Sequence, residues 1–156
     1  MFSLRTVKAH CDIPFKIYDT AISKVAAQSE VRLLHLIEET GQDEYSVQSE
    51  AMLSRLVLEK EEQARIVKNE INIIWGDYFK APQIEISPTV HELVHSIMQA
   101  ASRCKQDVGK DNGVVLLRLV NDFASIFWET KGIATRTVIA PYPPALDVIQ
   151  PILEDA

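Results

Sequence analysis

The chain has 156 residues, a length that suits one domain with its own hydrophobic core. Its composition, 47% hydrophobic and 24% charged, is that of an ordinary globular protein, and no apolar run approaches the ~20 residues that span a bilayer. The net charge of −6 argues against a nucleic-acid partner, and two cysteines make no disulfide framework, so we expect the reducing cytoplasm as the compartment.

The N-terminal residues predict a processed metal site. Residues 1–9 are too short and too polar at their centre for a secretory signal peptide, so we expect a short leader or pro-segment. If a protease cuts after Ala9, the amine and ring of His10 and the amide nitrogen and thiolate of Cys11 can bind one metal ion. Nitrogen donors with a thiolate suit a late first-row metal such as nickel or copper. The predicted metal ligands are therefore His10 and Cys11.

Four amphipathic helices are predicted in residues 20–131. They cover about Thr20–Thr40 and Ser46–Tyr78, a segment that begins with Ser87 as N-cap and Pro88, and about Val114–Thr130. A polar loop is expected between the last two, over Lys105–Gly113. The apolar stripe predicted for the first helix is Ile22, Val25, Ala26, Ser29, Leu33, Leu36 and Ile37. The apolar side predicted for the last helix is Leu116, Leu117, Val120, Phe123, Ala124, Phe127 and Trp128. Short connections between such helices favour an all-α, antiparallel up-down four-helix bundle.

Lys60 and the C-terminal residues do not fit a simple four-helix pattern. Lys60 falls on the apolar stripe of the second helix and needs a partner or a route to solvent. Residues 132–156 are rich in proline and hold a β-branched run at Thr135–Ile139, so we expect an extended C-terminal arm with one helical turn near Leu146. The arm packs either on a neighbouring subunit or back on its own bundle.

His91-Glu92-Leu93-Val94-His95 matches the His-Glu-x-x-His pattern of zinc peptidases, in which both imidazoles share one helix face and glutamate acts as general base. No histidine follows His95, and Asp107 and Asp111 are distant as third ligands. We therefore favour two histidines at the helix surface or in an interface and keep zinc peptidase activity as a remote alternative.

The N-terminal site resembles a known one. Residues 10–18 are similar to the nickel hook of nickel-type superoxide dismutases, whose mature chains begin His-Cys-Asp-x-Pro-Cys-Gly-x-Tyr. Further along, Trp75–Pro82 resembles the family's Trp-Ser-Asp-Tyr-Phe-Lys-Pro-Pro, Pro88–Val94 its Pro-x-x-His-x-Leu-Val, and Ile126–Lys131 its Ile-Phe-Trp-Glu-Thr-Lys. The resemblance spans residues 10–131 and implies a metal hook at residues 10–19 followed by a four-helix bundle that assembles as a hexamer.

The same resemblance implies the chemistry. It predicts disproportionation of superoxide to dioxygen and hydrogen peroxide at nickel held by His10 and Cys11. Tyr18 would control the approach of the anion and Asp12 would brace the hook through backbone contacts, so these two are the predicted catalytic residues.

Three positions depart from the family pattern. Phe15 stands where the hook has its second cysteine, and Ala26 and Gln63 stand where the family has a glutamate that orients the axial imidazole and an arginine that supports it. Two alternatives therefore stay open: a copper-loaded site, or a homologue that keeps the bundle and has lost nickel redox activity.

Overall fold

The computed structural model of the protein describes residues 16–42 and 44–153. Its helices are α1 (Ala21–Thr40), α2 (Val47–Ile73), α3 (Ala81–Ile86), α4 (Val90–Gln106) and α5 (Lys110–Thr130), and its strands are β1 (Thr135–Ile139) and β2 (Asp147–Pro151). The long helices α1, α2, α4 and α5 pack in sequence around one core, and α1 also packs on α5. The predicted four-helix bundle is confirmed. None of the helices in the described ranges has the length and apolar character needed to cross a bilayer.

Polar side chains mark the starts of α1 and α2. The backbone N–H of Ala21 donates to Oδ1 of Asp19 at 2.7 Å, so Asp19 rather than Thr20 supplies the side-chain cap of α1. Ser46 and Ser49 form a reciprocal capping box at the start of α2. These caps satisfy backbone donors that a helix start leaves free, which explains why both predicted starts are close to the observed ones.

The starts of α4 and α5 differ from prediction. Ser87 is not the N-cap of α4, because Pro88 and Thr89 form a turn and the helix begins at Val90. Helix α5 begins at Lys110 rather than Val114, which leaves residues 107–109 as the connection. The carboxylate of Asp107 accepts hydrogen bonds from the N–H groups of Val108 and Gly109, and these bonds lower the pKa of Asp107.

The segment after α2 is also more structured than predicted. The last turn of the predicted helix, Ile74–Tyr78, widens into a π turn, in which the N–H of Phe79 reaches the carbonyl of Ile74 at 3.4 Å. Between this π turn and α4, where no helix is predicted, the chain forms the short helix α3. Single π turns inserted at the end of an α-helix are frequent near functional sites because they reorient side chains.

The predicted buried face is correct for α5 and partly wrong for α1. On α5 all seven predicted core residues are buried: Leu116, Leu117, Val120, Phe123, Ala124, Phe127 and Trp128. On α1, however, Ile22 and Val25 are 57% and 58% exposed, whereas Ala27, Val31 and Leu34 are fully buried. Ala26, Leu33 and Ile37 of the predicted stripe are buried as well, so the buried face of α1 is rotated relative to the prediction and leaves Ile22 and Val25 outside it.

Gly113 allows α1 and α5 to approach closely. A Cβ atom at this position would lie 3.0 Å from the Cα of Val31 and 3.0 Å from Cδ1 of Leu34. Because a backbone atom of a buried helix cannot easily move, we expect Gly113→Ala to lower the free energy of unfolding by about 1–2 kcal/mol, despite the better helix propensity of alanine.

Chemical denaturation of Gly113→Ala tests this expectation, with Gly76→Ala as the control. A Cβ at Gly76 meets nothing within 4 Å, so that variant is expected to be neutral or slightly stabilised. Equal effects of the two substitutions would contradict the close approach of α1 and α5.

The C-terminal arm is a β-hairpin. Strands β1 and β2 pair antiparallel, with Thr137 opposite Ile149, and no helical turn forms near Leu146. The hairpin folds back on its own bundle: Lys24 Nζ donates to the carbonyl of Ile149 at 2.7 Å, and the Asn121 side chain bonds the backbone of Asp147 and Ile149. Of the two packing modes considered for the arm, the structure has the one on its own subunit.

A charged side chain is buried where α1, α2 and α4 meet. Lys60 is 1% exposed, and its ammonium group donates to the carbonyl oxygens of Cys104, Lys105 and Asp107. These carbonyls belong to the C-terminal end of α4, where a helix leaves acceptors unsatisfied and where a cation is favoured. The predicted need of Lys60 for a partner is thus met by the end of a neighbouring helix.

Glu30 completes this cluster from α1. It is fully buried, and neither carboxyl oxygen has a partner in regular hydrogen-bond geometry within the described residues. Burial raises the pKa of Glu30 to about 8, against the opposing influence of Lys60 and of the Cys104 thiol. The carboxyl is therefore predominantly protonated at neutral pH.

We expect Lys60→Met to lower the free energy of unfolding by about 3 kcal/mol, since hydrogen bonds to charged groups contribute about 1.5–3 kcal/mol each and removal of the ion relieves part of its desolvation. Lys68→Met is the matched control: its Nζ bonds Ser102 Oγ across the same two helices, at 2.7 Å, in a less buried place. The control is expected to change stability by less than about 1 kcal/mol. Similar losses in the two variants would mean that Lys60 does not bind the end of α4.

Candidate metal centre

Most of the predicted site lies outside the described residues. This holds for the ligands His10 and Cys11, for Asp12, and for Phe15. The structure describes the chain from Lys16 and includes Tyr18, just before α1. The surroundings of Tyr18 therefore define what the structure contributes to the site.

Tyr18 lies on a cluster of aromatic side chains at one end of the bundle. Its ring is half-buried against the core, with its centroid 5.8 Å from that of Tyr78. Tyr78 ends the π turn, and its ring is 5.0 Å from that of Phe127 and 5.3 Å from that of Phe79. Aromatic rings at these separations stabilise each other beyond their burial, so Tyr18 rests on a rigid base.

Tyr78 connects two of the sequence blocks singled out above. Its hydroxyl group is 2.8 Å from Oγ1 of Thr130, and the ammonium group of Lys131 lies 4.9 Å from its ring centroid. The same ammonium group is 5.0 Å from the ring centroid of Phe127. This cation–π arrangement holds a positive charge on the aromatic cluster that carries Tyr18. Tyr78 and Lys131 belong to two of these blocks, but no sequence pattern indicated that the two side chains are in contact.

The Pro88–Val94 block contacts the Trp75–Pro82 block through Trp75. The indole N–H of Trp75 donates to Nδ1 of His91 at 2.9 Å, and the two rings pack edge to face. Since Nδ1 accepts this bond, the neutral imidazole carries its proton on Nε2. Neither ring nitrogen of His91 then has a lone pair free for a metal ion.

The rest of the His-Glu-x-x-His pattern fits no metal site either. His95 is exposed, and its Nε2 is 2.9 Å from the Gln99 side-chain amide. Across residues 16–42 and 44–153, no three histidine, cysteine, aspartate or glutamate side chains gather closely enough to hold a metal ion. The described part of the chain therefore supports the reading of His91 and His95 as surface histidines.

Cys104 cannot replace the missing hook cysteine. It lies fourteen positions after Val90, the first residue of α4, whereas Tyr18 lies at the end of the bundle where α4 begins. At 1.5 Å per helical residue, Cys104 is therefore roughly 20 Å from that end along the helix axis. Burial, together with the nearby Glu30 carboxyl, raises the pKa of the Cys104 thiol to about 12. A buried thiol of this kind is unreactive and a poor ligand.

Ala26 and Gln63 face one groove between α1 and α2. Ala26 is 2% exposed, and the amide of Gln63 donates to Oε1 of Glu59 at 2.7 Å. No ion pair joins α1 to α2 at these two positions. The paired departures from the family pattern thus replace a charged contact by a mostly apolar surface.

Comparisons with known proteins agree with this arrangement. The family model for nickel-containing superoxide dismutase matches residues 5–131. The nickel superoxide dismutase of Streptomyces coelicolor is 34% identical over 128 residues, which are 81% of this chain and 91% of that protein. The enzyme of Streptomyces seoulensis is 30% identical over 125 residues, 80% of this chain and 90% of that protein. The chain belongs to the nickel-containing superoxide dismutase family.

The likeness extends to the fold. The native structure of a nickel superoxide dismutase superposes with a TM-score of 0.67 at 30% identity, covering 78% of this chain and 99% of that one. The family match ends at Lys131, so it includes the N-terminal residues and the aromatic cluster but not the hairpin. The strands β1 and β2 lie beyond the matched region of this chain.

Proposed function

We propose that the protein, once cut after Ala9, is a superoxide dismutase whose metal is held by His10 and Cys11. The observation that carries the proposal is the position of Tyr18. It lies just before α1, on aromatic side chains from two of the regions that resemble the family, Trp75–Pro82 and Ile126–Lys131. Family membership supports the same activity.

The donor set fits nickel without the hook's second cysteine. An amine, an imidazole, a deprotonated amide and one thiolate are a square-planar set for Ni(II) or Cu(II), and Phe15 adds no donor. If held there, nickel would supply the redox couple for converting two superoxide anions and two protons to dioxygen and hydrogen peroxide. Asp12 would brace the hook through backbone contacts, so that both ligand residues stay oriented.

Tyr18 and its neighbours act on the substrate. Superoxide is an anion and the chain has a net charge of −6, so unassisted approach is electrostatically unfavourable. The Lys131 ammonium group lies over the ring of Tyr78, the same ring that Tyr18 packs against, and adds a positive charge to this aromatic cluster. In this proposal Lys131 attracts the anion, and the Tyr18 hydroxyl limits access and bonds to solvent near the metal.

The processing, assembly, compartment and segment boundaries of the protein are proposed on the same basis. A processing protease is needed because only a free His10 amine can act as a ligand. A homohexamer in the cytoplasm is the assembly and compartment that the family resemblance and the cysteine content favour. The segments would be a leader at residues 1–9, a hook at 10–19, the bundle at 20–131 and the C-terminal arm at 132–156.

The test uses protein that begins at His10, reloaded separately with nickel and with copper. We expect one nickel ion per chain and consumption of superoxide that the uncut protein does not show. Activity with copper alone would favour the copper-loaded alternative, since copper changes oxidation state without two thiolates. Bound metal without activity, or no metal, would leave a homologue that has lost redox function.

A further inference from the structure

The ammonium group of Lys60 has two kinds of acceptor around it. The first kind is the row of backbone carbonyls at the end of α4, among which that of Lys105 accepts its hydrogen bond at 2.8 Å and that of Asp107 at 3.3 Å. The second is the carboxyl group of Glu30 on α1, which is close enough for the Lys60 charge to lower its pKa against the effect of burial. Lysine can serve either acceptor, because its compact charge is carried on a flexible stem.

The Glu30 side chain has no other partner that could stabilise it as an anion. Both carboxyl oxygens are buried and lack a hydrogen bond in regular geometry within residues 16–42 and 44–153. Cys104 of α4 is the titratable neighbour of Glu30, and its thiol stays protonated because burial and the carboxyl group raise its pKa to about 12.

The remaining charged groups around the cluster are exposed. Arg103 acts on the Cys104 thiol and Asp107 interacts with Lys60, both from exposed positions at the end of α4. Helix α5 contributes no charge where it approaches α1 most closely, since it has Gly113 there. Among the described residues, Lys60 is therefore the one buried cation available to Glu30.

We propose that Lys60 changes partner with the charge of Glu30. While the carboxyl group is protonated, the ammonium group binds the carbonyls at the end of α4. Once the carboxyl group is ionised, the ammonium group pairs with it and releases that end. A buried carboxylate without a partner is costly, and the attraction between opposite charges is strong where water is excluded, so the ionised carboxyl group prevails over neutral carbonyls.

The release loosens the connection between α4 and α5. The last carbonyls of a helix are unsatisfied and favour a cation, so the final turn frays when Lys60 leaves it. The hydrogen bond most directly affected runs from the N–H of Asp107 to the carbonyl of Arg103 at 2.9 Å. Since burial raises the pKa of Glu30 to about 8, the change takes place between neutral and mildly alkaline pH. It involves neither a metal nor the proposed activity and can fail independently of them.

Hydrogen exchange of the full chain, followed by mass spectrometry, tests the change of partner. Labelling is done at about pH 6.5 and about pH 9, on either side of the Glu30 pKa of about 8, with times scaled to the intrinsic exchange rate at each pH. In the wild type, protection of residues 103–109 should fall about tenfold at the higher pH, because a hydrogen bond to a charged group contributes at least that factor. In Glu30→Gln, protection should be high and equal at the two pH values.

Two comparisons control the measurement. Residues 37–42 form the end of α1, where the N–H of Gly41 donates to the carbonyl of Ile37 at 2.9 Å, and their protection should not change with pH in either protein. Lys60→Met removes the cation, so its residues 103–109 should be poorly protected already at about pH 6.5 and show no further loss at about pH 9. This second variant tests the proposal even if Glu30→Gln does not fold.

Three results would overturn the proposal. Unchanged protection of residues 103–109 in the wild type would mean that Lys60 stays on α4. The same loss in Glu30→Gln would assign the pH dependence to another group. An equal loss at the end of α1 would indicate general loosening of the bundle instead of a release at α4.

Discussion

Serine in place of Cys11 is expected to reduce superoxide consumption by the chain that begins at His10 more than about 100-fold. Even the partners of metal ligands contribute 10- to 100-fold to affinity or activity, and Cys11 is proposed as a ligand itself. Because Phe15 supplies no thiolate, the substitution removes all sulfur from the hook. A serine hydroxyl stays protonated at neutral pH and cannot lower the potential of nickel as a thiolate does. Metal content and activity are measured on the same nickel-loaded sample.

The control for this prediction is Cys104→Ala. Cys104 lies roughly 20 Å from the Tyr18 end of the bundle and has a thiol whose pKa is raised to about 12. Its removal can lower stability, but we expect one metal ion per chain and full activity in the folded protein. If Cys11→Ser keeps its activity and Cys104→Ala loses it, the metal is held inside the bundle and the hook assignment is wrong.

Glutamine in place of Glu30 is expected to remove a pH dependence of stability. The pKa of Glu30 is raised from its ordinary value of 4.5 to about 8 by burial, so between these values the native protein holds a proton that the unfolded chain does not. The stabilisation is fully present below about pH 4.5 and is lost as pH rises through 8. At about 1.4 kcal/mol per pH unit, the loss across this window is about 4 kcal/mol.

Glutamine has the shape of the protonated carboxyl group and does not titrate. The difference in unfolding free energy between Glu30→Gln and the wild type should therefore move in favour of the variant by about 4 kcal/mol between pH 4.5 and pH 8. Urea denaturation at several pH values measures it. Glu38→Gln on the same helix is the control, because Glu38 forms an exposed ion pair with Lys110 that is worth less than about 1 kcal/mol. Parallel curves for Glu30→Gln and the wild type would show that Glu30 is ionised in the native protein.

The sequence alone predicts the four-helix bundle correctly but does not predict which face of α1 is buried. Periodicity predicts one buried stripe on α1, and its members Ala26, Leu33 and Ile37 are buried. The observed face is rotated toward Val31 and leaves Ile22 and Val25 exposed. The close approach of α5 favours this orientation, because Gly113 lies against Val31 and leaves no space for a larger residue. Such complementarity between distant positions is not visible in a single sequence.

The candidate site was predictable to a similar degree. The spacing of donors at His10 and Cys11 and the retained Tyr18 can be read directly from the chain. The packing of Tyr78 against Tyr18, and of Lys131 against Tyr78, depends on the π turn and on how α5 packs, which local patterns do not encode. The hairpin was not predicted: the β-branched run indicated one extended segment and the prolines at 141, 143 and 144 suit a turn, but no alternating pattern marked Asp147–Pro151 as the partner of β1.

The bond between Lys24 and Ile149 has a consequence for how the molecule opens. It joins residues 125 positions apart, so the first turns of α1 are held by almost the last structured part of the chain. Fraying of α1 then requires release of the hairpin, and amide hydrogens in both should exchange with solvent as one cooperative unit. Motions that would release the start of α1, and with it Tyr18, are therefore coupled to opening of the hairpin formed by β1 and β2.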